Sequence, residues 1–458
     1  MTTDDGDQWL DVSALTPLRP VYPFGDPGAP IELYGGPIAV DSIDPWEGRI
    51  YADLAGDLQV RWSGTKAEGW LTANDVKLTI ERPHGAAITV PAHRNLMRMH
   101  NEVGRASGEI MHADVGSPDA VCERVIVHFT NLPPLYPGEY LVDDGYYWPG
   151  RWTCSGAGWQ LALDVRQDHA KVWDAMRESL VFVVTHVGEL RRADGSSFRA
   201  SEAAEALTAF QTGFSFALAR WVAPIAPVGL DAEGNRVWEQ WASWRCSPTF
   251  GHLQWWDKLE GEDLNAFMEL FVDAWFNPDQ HDVTGHVARH LIMAHHRGTT
   301  IEAKIMMVHA ALEYLSWVTY VLGPLQRSKS LHMDKDPITG AAAATRHLEE
   351  LLDDAKIDSR IPSSLVAMQQ QAQEMQRENQ LRYVPEGPEV LTWLRNRLVH
   401  PKDAGEPYRI GNLVTEAWLL VTEYGELLLL HRLGYKGKYL PRTDRSEWVK
   451  SIPVPWAT

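Results

Sequence analysis

Three side chains near the end of one segment could act together on a phosphate: Arg395, Asn396 and His400. In a helix, residues four apart lie on the same face, so Asn396 and His400 would be neighbours and Arg395 would lie close to both. Arginine grips phosphate through a forked pair of N–H donors, and histidine transfers protons near neutral pH. The sequence therefore predicts a set of groups that RNA cleavage without a metal requires.

The segment that carries these residues, 388–400, has the pattern of an amphipathic helix. One stripe of it should face a core, formed by Val390, Leu391, Leu394 and Leu398. Pro388 suits the first turn of a helix, and Pro401 forbids the α conformation to His400, so the helix should end at the histidine. The unpaired carbonyls and the negative end of the helix dipole would favour the protonated imidazole there.

The spacing from arginine to histidine is not specific by itself, because the chain contains 18 histidines. It recurs at Arg94 with His100, at Arg289 with His295 or His296, and at Arg327 with His332. Arg94 is even followed by Asn95, but it lies in strand-like sequence, and Arg327 lies in a predicted loop. Only the 395–400 match combines the asparagine, an amphipathic helix that ends at the histidine, and a long helix after it.

The run Arg395-Asn396-Arg397-Leu398-Val399-His400 resembles the motif of HEPN superfamily ribonucleases, an arginine, four to six residues and a histidine, often with asparagine after the arginine. The layout is also similar: a long helix with a mid-helix acid, Glu313 in HAALEYL, then intermediate helices, the motif helix and a closing helix. The resemblance covers about residues 285–440. With a β-rich N-terminal part, the chain looks like the ApeA-like HEPN proteins of bacteria, which the resemblance associates with defence against phage.

The resemblance implies that the RNA 2′-hydroxyl attacks the adjacent phosphate, leaving 2′,3′-cyclic phosphate and 5′-hydroxyl ends, with no metal or cofactor. His400 would be the general base or acid, Arg395 would stabilise charge on the phosphoryl oxygens, and Asn396 would orient His400 or the phosphate. Glu313 would hold Arg395 or Arg397 in place, or be an ordinary solvated glutamate. Arg397 would contact RNA, or be a simple surface arginine. A homodimer with one composite active site is also implied.

The first 256 or so residues show short apolar runs broken by Pro and Gly, which predict strands. These runs are 58–62, 76–83, 124–134 and 159–165. One helix is predicted within this part, from Ser201 to about Trp221, and two hairpins are predicted at 180–198 and 228–241. The sequence thus predicts a β-rich domain, residues 1–256, with one inserted helix.

The rest of the chain has longer segments whose apolar residues recur at three and four positions, which predicts helices. They are 263–276, 287–296, 302–322, 341–355, 363–379, 388–400 and 413–433. The predicted fold class is therefore α+β, in which the β-rich domain is followed by an all-α HEPN-type bundle over residues 257–458.

Most of the net charge of −19 belongs to the N-terminal part. Residues 1–284 contain 21 Lys and Arg against 41 Asp and Glu, a net charge of −20, whereas residues 285–458 contain 21 against 20, a net charge of +1. The acidic excess is most simply a solvated surface. A neutral C-terminal domain can still carry a local basic site for RNA.

No segment approaches the roughly 20 apolar residues that cross a bilayer, and the first residues are acidic where a secretory signal would be basic. The cysteines, Cys122, Cys154 and Cys246, lie far apart without a CxxC pair, which fits reduced thiols. A cytoplasmic protein without a membrane partner is expected.

A rival site would use a group of C-terminal residues: His281, Asp282, His286, His290, His295 and His296. His286 and His290 have a spacing able to grip one metal ion, but the HExxH pattern is absent, so we expect no metal site. Fifteen of the 20 tryptophans precede residue 285, with a close group at Trp238, Trp241, Trp244, Trp255 and Trp256. They are either a stacking platform for sugars or bases, or core, and we favour core.

Two main functions remain open at this point, and a metal hydrolase that uses the histidines of residues 281–296 is a third, lower-ranked alternative. One is an endoribonuclease whose β-rich domain senses an unknown trigger or restrains the nuclease. The other is a non-catalytic HEPN-like dimer that binds RNA or a protein.

Overall fold

The computed structural model of the protein describes residues 14–41, 45–81, 87–248, 254–258, 260–334, 343–401, 403, 405–444, 446 and 449–457. Of these, the residues within 1–154, 158–204 and 223–249 form one compact unit, the β unit. Those within 155–157, 205–222 and 250–458 form a second, the helical unit. A β-rich N-terminal region and a helical C-terminal region are thus confirmed.

Six strands of the β unit form an antiparallel barrel. They are β1 (Ile31–Val40), β2 (Trp46–Asp53), β3 (Gln59–Ala67), β4 (Asp75–Ile80), β5 (Ile88–His100) and β6 (Val103–Ile110). The barrel closes in the order β1-β2-β3-β6-β5-β4. Alternate side chains point into its core, as Val60 and Trp62 do on β3.

A second group of strands forms a larger sheet and one small ribbon. They are β7 (His112–Gly116), β8 (Val121–Cys122), β9 (Arg124–Thr130), β10 (Glu139–Asp143), β11 (Tyr146–Gly156), β12 (Trp159–Val165), β13 (Val184–Arg192), β14 (Phe198–Arg199), β15 (Ala223–Leu230) and β16 (Arg236–Ala242). The sheet order is β10-β11-β12-β13-β9-β15-β16-β7, and β8 pairs with β14. Every residue of the interior strand β15 is buried, which explains its continuous apolar sequence.

The described residues of the N-terminal 256 form two helices, α1 (His169–Ser179) and α2 (Ala200–Ala217), so the prediction of a single inserted helix is wrong. Helix α2 is the predicted one. Helix α1 lacks the usual start signal, because the Asp168 carboxylate pairs with Arg166 and does not cap the helix. Only three of its side chains are buried: His169, Val172 and Met176.

Of the two predicted hairpins, the one at 228–241 is confirmed by the antiparallel pair β15 and β16. The other, at 180–198, is wrong. After the turn at Gly195, residues Phe198 and Arg199 pair with β8 and not with β13. The reason is that β13 already has β12 on one side and β9 on the other, so it offers no free edge.

The helical unit confirms the predicted helices and adds one short one. They are α3 (Gly261–Phe276), α4 (His281–Ala294), α5 (Ile301–Trp317), α6 (Lys329–Met333), α7 (Ala343–Asp354), α8 (Val366–Glu378), α9 (Gly387–Val399) and α10 (Leu413–Arg432). A π-helical turn, Val318–Leu322, continues α5, and a 3-10 turn spans Glu406–Tyr408. Residues 341–342 of one predicted helix lie outside the described residues.

Helix α10 packs against α4, α5, α7, α8 and α9, and α5 packs against α4, α7, α9 and α10, so these two helices form the centre of the unit. The unit also contains a two-stranded ribbon of β17 (Lys438–Tyr439) and β18 (Ile452–Pro453), so the prediction of an all-α C-terminal part is wrong in this detail.

The compact units divide the chain differently from the predicted boundary after residue 256. Most of α2, from Glu205 onwards, belongs to the helical unit, and so do Trp255 and Trp256. Both tryptophans are at most 1 % exposed, as are Trp238 and Trp241 of the β unit. Four of the five tryptophans in the group are therefore core, as we favoured, and offer no stacking platform, whereas Trp244 is partly buried and packs against the core of the β unit.

One helical stretch among the described residues, Ile301–Leu322, is long and apolar enough to cross a membrane by length and composition alone. Of its most apolar window, 44 % is buried inside the structure, and a single stretch of this kind is weak support for a membrane span.

Candidate active site at the C-terminal end of α9

Local signals set both ends of α9. At its start, Glu386 and Glu389 form a reciprocal capping box, and Pro388 lies in the first turn. At its end, His400 has left the helical conformation, with φ −128° and ψ 68°, as a residue before Pro401 must. The His400 backbone N–H still donates to the Asn396 carbonyl at 2.8 Å. The predicted end of the helix is confirmed.

The apolar stripe of α9 is buried over its first two turns and then becomes accessible. Val390, Leu391 and Leu394 are fully buried, as predicted. Leu398 is only partly buried, and Val399 is 41 % exposed. The last turn of α9 therefore leaves the core, and it presents apolar surface beside the motif.

The Arg395 guanidinium is held by two side chains. Its Nη1 donates to Asn396 Oδ1 at 3.2 Å, and its Nη2 donates to Glu313 Oε1 at 3.3 Å. Both distances exceed the 2.7–2.9 Å or so that is typical of strong charge-assisted hydrogen bonds. The Arg395 side chain is 27 % exposed and that of Glu313 is 43 % exposed, so an incoming anion has access to the pair.

Glu313 comes from the middle of α5, 82 residues before Arg395 in the chain. Of the two arginines proposed as its partner, the structure places Arg395 against it. The motif helix and the long helix with the mid-helix acid are therefore brought together, as the sequence layout suggested.

Arg397 faces a different neighbour. Its Nε lies 2.9 Å from Glu406 Oε2, in the 3-10 turn after α9, and both side chains are 19 % exposed. Its guanidinium also lies 5.7 Å from the centre of the Trp393 ring. This arginine ties the chain after α9 back onto the helix, so its contacts are those of a structural residue.

The His400 side chain is exposed at the end of α9. Among the described residues it makes no hydrogen bond or ion pair. Asn396 lies one turn before it on the same helix face and has its amide oxygen turned to Arg395. One end of α9 thus presents an imidazole, an amide and a guanidinium to solvent.

The sequence reasoning missed His309, which lies one turn before Glu313 on α5 and is 4 % exposed. Burial, together with the nearby charge of Arg395, lowers the pKa of His309 to about 4. Its Nε2 has no hydrogen-bond partner among the described residues. The spacing of four from Glu313 is the signal in the sequence that could have identified it.

The rival histidines do not converge. His281 bonds the Trp275 carbonyl, and His295 is buried against Glu426, 3.3 Å away. The rings of His286 and His290 lie 4.3 Å apart and the His290 Nδ1 bonds a backbone carbonyl. In the part of the chain that the structure describes, no group of three or more His, Cys, Asp or Glu could hold a metal ion.

The fold and this site define a two-unit protein whose central and C-terminal parts both match described families. Residues 117–251 match the YopA central domain, and residues 278–454 match the YopA C-terminal domain, the part that contains α9. Neither family description names an activity.

A relative over nearly the full length is the SPbeta prophage-derived uncharacterized protein YopA of Bacillus subtilis (strain 168). It is 24 % identical over 457 residues, which cover 94 % of this chain and 96 % of that protein. No solved structure is significantly similar to the chain.

Proposed function

We propose that this protein is a metal-independent endoribonuclease of the HEPN type. The observation that carries the proposal is the gathering of Arg395, Asn396 and His400 at one accessible helix end, with Glu313 of α5 holding the arginine. The products would be RNA ends with a 2′,3′-cyclic phosphate and a 5′-hydroxyl.

The proposed chemistry uses one face of α9. The RNA 2′-oxygen attacks the adjacent phosphorus, and the bond from phosphorus to the 5′-oxygen breaks. His400 takes the proton from the 2′-hydroxyl or gives one to the leaving 5′-oxygen. Arg395 stabilises the charge on the phosphoryl oxygens, and Asn396 orients the phosphate or His400.

Phosphate must compete with the present partners of Arg395. Both terminal nitrogens of the guanidinium are occupied, by Asn396 and by Glu313, through long hydrogen bonds. Because a phosphate offers shorter, charge-assisted bonds in a forked geometry, it can replace the glutamate at the exposed side of the arginine. The pair with Glu313 then describes a resting state of the site.

A homodimer completes the proposal. A single α9 supplies one imidazole, and a reaction that both removes and donates a proton is served best by two. The accessible apolar turn at Leu398 and Val399, next to His400, is suited to contact the same turn of a second copy. The composite site would then contain His400 from each subunit.

The setting we propose is the bacterial cytoplasm and a role in defence against phage. The named YopA relative is prophage-derived, which connects this kind of protein with phage genomes. The β unit would sense the trigger or restrain the nuclease. Its source of specificity would be the surface of the barrel and sheet, since Trp238 and Trp241 are buried in the core.

The test is cleavage of total RNA by the full chain in EDTA, with analysis of the product ends. Wild type should yield cyclic phosphate ends, and His400→Ala should lose at least about 100-fold of the rate, as expected for loss of a general acid or base. His296→Ala is the matched control, because His296 is also exposed on the helical unit but lies outside the motif. Equal cleavage by wild type and His400→Ala would falsify the proposal.

A second candidate is a non-catalytic dimer that binds RNA or a protein through the same helix end. It is favoured by the engagement of both terminal nitrogens of Arg395 within the protein. RNA bound but not cut by wild type, with binding weakened by Arg395→Ala, would support this function over the first.

A further inference from the structure

Two complementary polar atoms lie buried in the helical unit without partners among the described residues. One is Arg395 Nε, whose hydrogen can only be donated, and the other is His309 Nε2. His309 is close enough to Arg395 to feel its charge, and the two helices that carry them, α5 and α9, pack together. Unpaired buried polar atoms are rare in folded proteins and need an explanation.

The imidazole of His309 is neutral and can accept a hydrogen bond. Because burial and the Arg395 charge lower its pKa to about 4, its imidazole is neutral at physiological pH. In the tautomer that carries the proton on Nδ1, Nε2 has a free lone pair. A charged imidazole at this place would repel the arginine, whereas a neutral one can receive a hydrogen bond from it.

We propose that His309 is a positioning residue for Arg395 in the ribonuclease site, an inference that rests on the proposed function. When phosphate displaces Glu313, the guanidinium loses the contact that fixes it to α5. His309 then accepts a hydrogen bond from the inner edge of the guanidinium, and the outer nitrogens are free to hold the phosphoryl oxygens. His309 touches neither RNA nor the reacting atoms.

This role explains why an unpaired imidazole stays in a core. A leucine at position 309 would fill a similar volume with no polar atom to satisfy, so His309→Leu should raise the melting temperature of the protein. The same change would leave Arg395 without its inner support. We therefore expect a more stable and slower enzyme, whereas damage to a purely structural core residue lowers stability.

The test compares His309→Leu and His309→Gln with wild type, using a fluorogenic oligoribonucleotide in EDTA. His309→Leu should lower kcat about 10-fold, the effect of losing one hydrogen bond to a charged group, with KM changed less than about 2-fold. His309→Gln, whose amide oxygen can accept the same bond, should restore most of the rate. In the double variant with Arg395→Ala, His309→Leu should cause no further loss, because its effect passes through that arginine.

The matched control is His295→Leu, which replaces another fully buried histidine of the helical unit whose pKa burial likewise lowers to about 4. It should change stability and leave kcat as it is. If His309→Leu keeps the wild-type kcat, or if its loss adds fully to that of Arg395→Ala, the positioning role is wrong while the ribonuclease stands. If wild type itself cuts no RNA, both proposals fail together.

Discussion

Two segments of this protein begin with the same pair of residues and end with a histidine, and only one of them makes a candidate site. Arg94 and Asn95 lie on strand β5 of the β unit, with His100 six residues after the arginine. Arg395 and Asn396 lie on α9, with His400 five residues after the arginine. A strand rises about 3.3 Å per residue, so His100 is carried about 20 Å from Arg94. The helix rises about 1.5 Å per residue, which keeps His400 within about 8 Å of Arg395 along its axis.

The partners of the two arginines differ in kind. Arg94 donates to the backbone carbonyls of Leu71, Thr72 and Ala73 and to the side chain of Asn74, at 2.7 to 3.2 Å. It fixes the connection between β3 and β4 onto β5. Arg395 contacts only side chains, at 3.2 and 3.3 Å. An arginine whose hydrogen bonds go mainly to backbone carbonyls has a structural role. An arginine that makes long hydrogen bonds to a partly exposed acid can exchange that acid for a ligand.

The largest effect should come from removing the exchangeable arginine. Arg395→Ala should lower RNA cleavage about 100- to 1000-fold, as expected when one preorganised donor to the transition state is lost. Its melting temperature should change little, because the two lost contacts are long and partly exposed. Steady-state cleavage in EDTA measures the first quantity and thermal unfolding the second. A variant with a lower melting temperature and an unchanged cleavage rate per folded molecule would show that Arg395 has a structural role, like Arg94.

Acid should act on the neighbourhood of Arg395 through His309. The folded-state pKa is about 4 and the ordinary value is near 6.5, so between these pH values the unfolded chain takes up a proton that the folded chain does not. Above pH 6.5, His309 does not lower the free energy of unfolding. As the pH drops from 6.5 towards 4, the free energy of unfolding falls. At 1.36 kcal/mol per pKa unit, the share of His309 is up to about 3 kcal/mol.

Urea unfolding of wild type and His309→Leu at pH 7 and pH 4.5 measures this share as the difference between their pH dependences, because other histidines with lowered pKa values, such as His128 and His295, contribute to both proteins. The control is His93→Leu beside Arg94, because that side chain is 44 % exposed and its ion-pair partner, Asp75, is also exposed. An unchanged pH dependence in His309→Leu would contradict the buried, neutral state that the positioning role needs.

Removal of the structural arginine, Arg94, should have the opposite effects on stability and on RNA cleavage. Arg94→Ala leaves three carbonyls and an amide oxygen without their donor, at a cost of about 1–3 kcal/mol of stability, softened by the exposure of most of these groups. RNA cleavage per folded molecule should stay at the wild-type value. Hydrogen exchange of the peptides that contain residues 68–74 and 88–100 would show whether the loss is local to the barrel. A large loss of cleavage without loss of stability would show that the β5 segment is also a functional site.

The sequence was most informative where the determinants are local. Pro388 and Pro401 are sufficient to place α9 and to end it at His400, because each proline restricts its own neighbours. The strand character of the Arg94 segment was also correct, since it depends on alternation within a few residues. The helical conformation of α9 therefore distinguishes the candidate site at residues 395–400 from the chance match at Arg94.

The features that the sequence could not predict depend on tertiary contacts. Glu313 was a candidate partner for two arginines, and only the packing of α5 against α9 assigns it to Arg395. The burial of His309 depends on which side of α5 faces that helix. Glu406 follows α9 in a 3-10 turn, and its pairing with Arg397 has no signal in the sequence. Helix α1 was missed because it buries only three side chains, His169, Val172 and Met176, and so has a weak apolar pattern.

Arg397 provides the smallest and sharpest distinction, because it lies two residues from Arg395 and has a structural type of contact. Its ion pair with Glu406 is mostly shielded from solvent, so Arg397→Ala should lower the stability by about 1 kcal/mol. Since the Arg397 guanidinium faces the 3-10 turn that contains Glu406, kcat should remain within about 2-fold of wild type. Loss of the positive charge of Arg397 should affect only the affinity for RNA. Cleavage rates over a range of salt concentrations measure both parameters. If Arg397→Ala lowers kcat as strongly as Arg395→Ala, the site includes both arginines of α9. The distinction between Arg395 as a ligand-binding residue and Arg397 as a structural residue is then wrong.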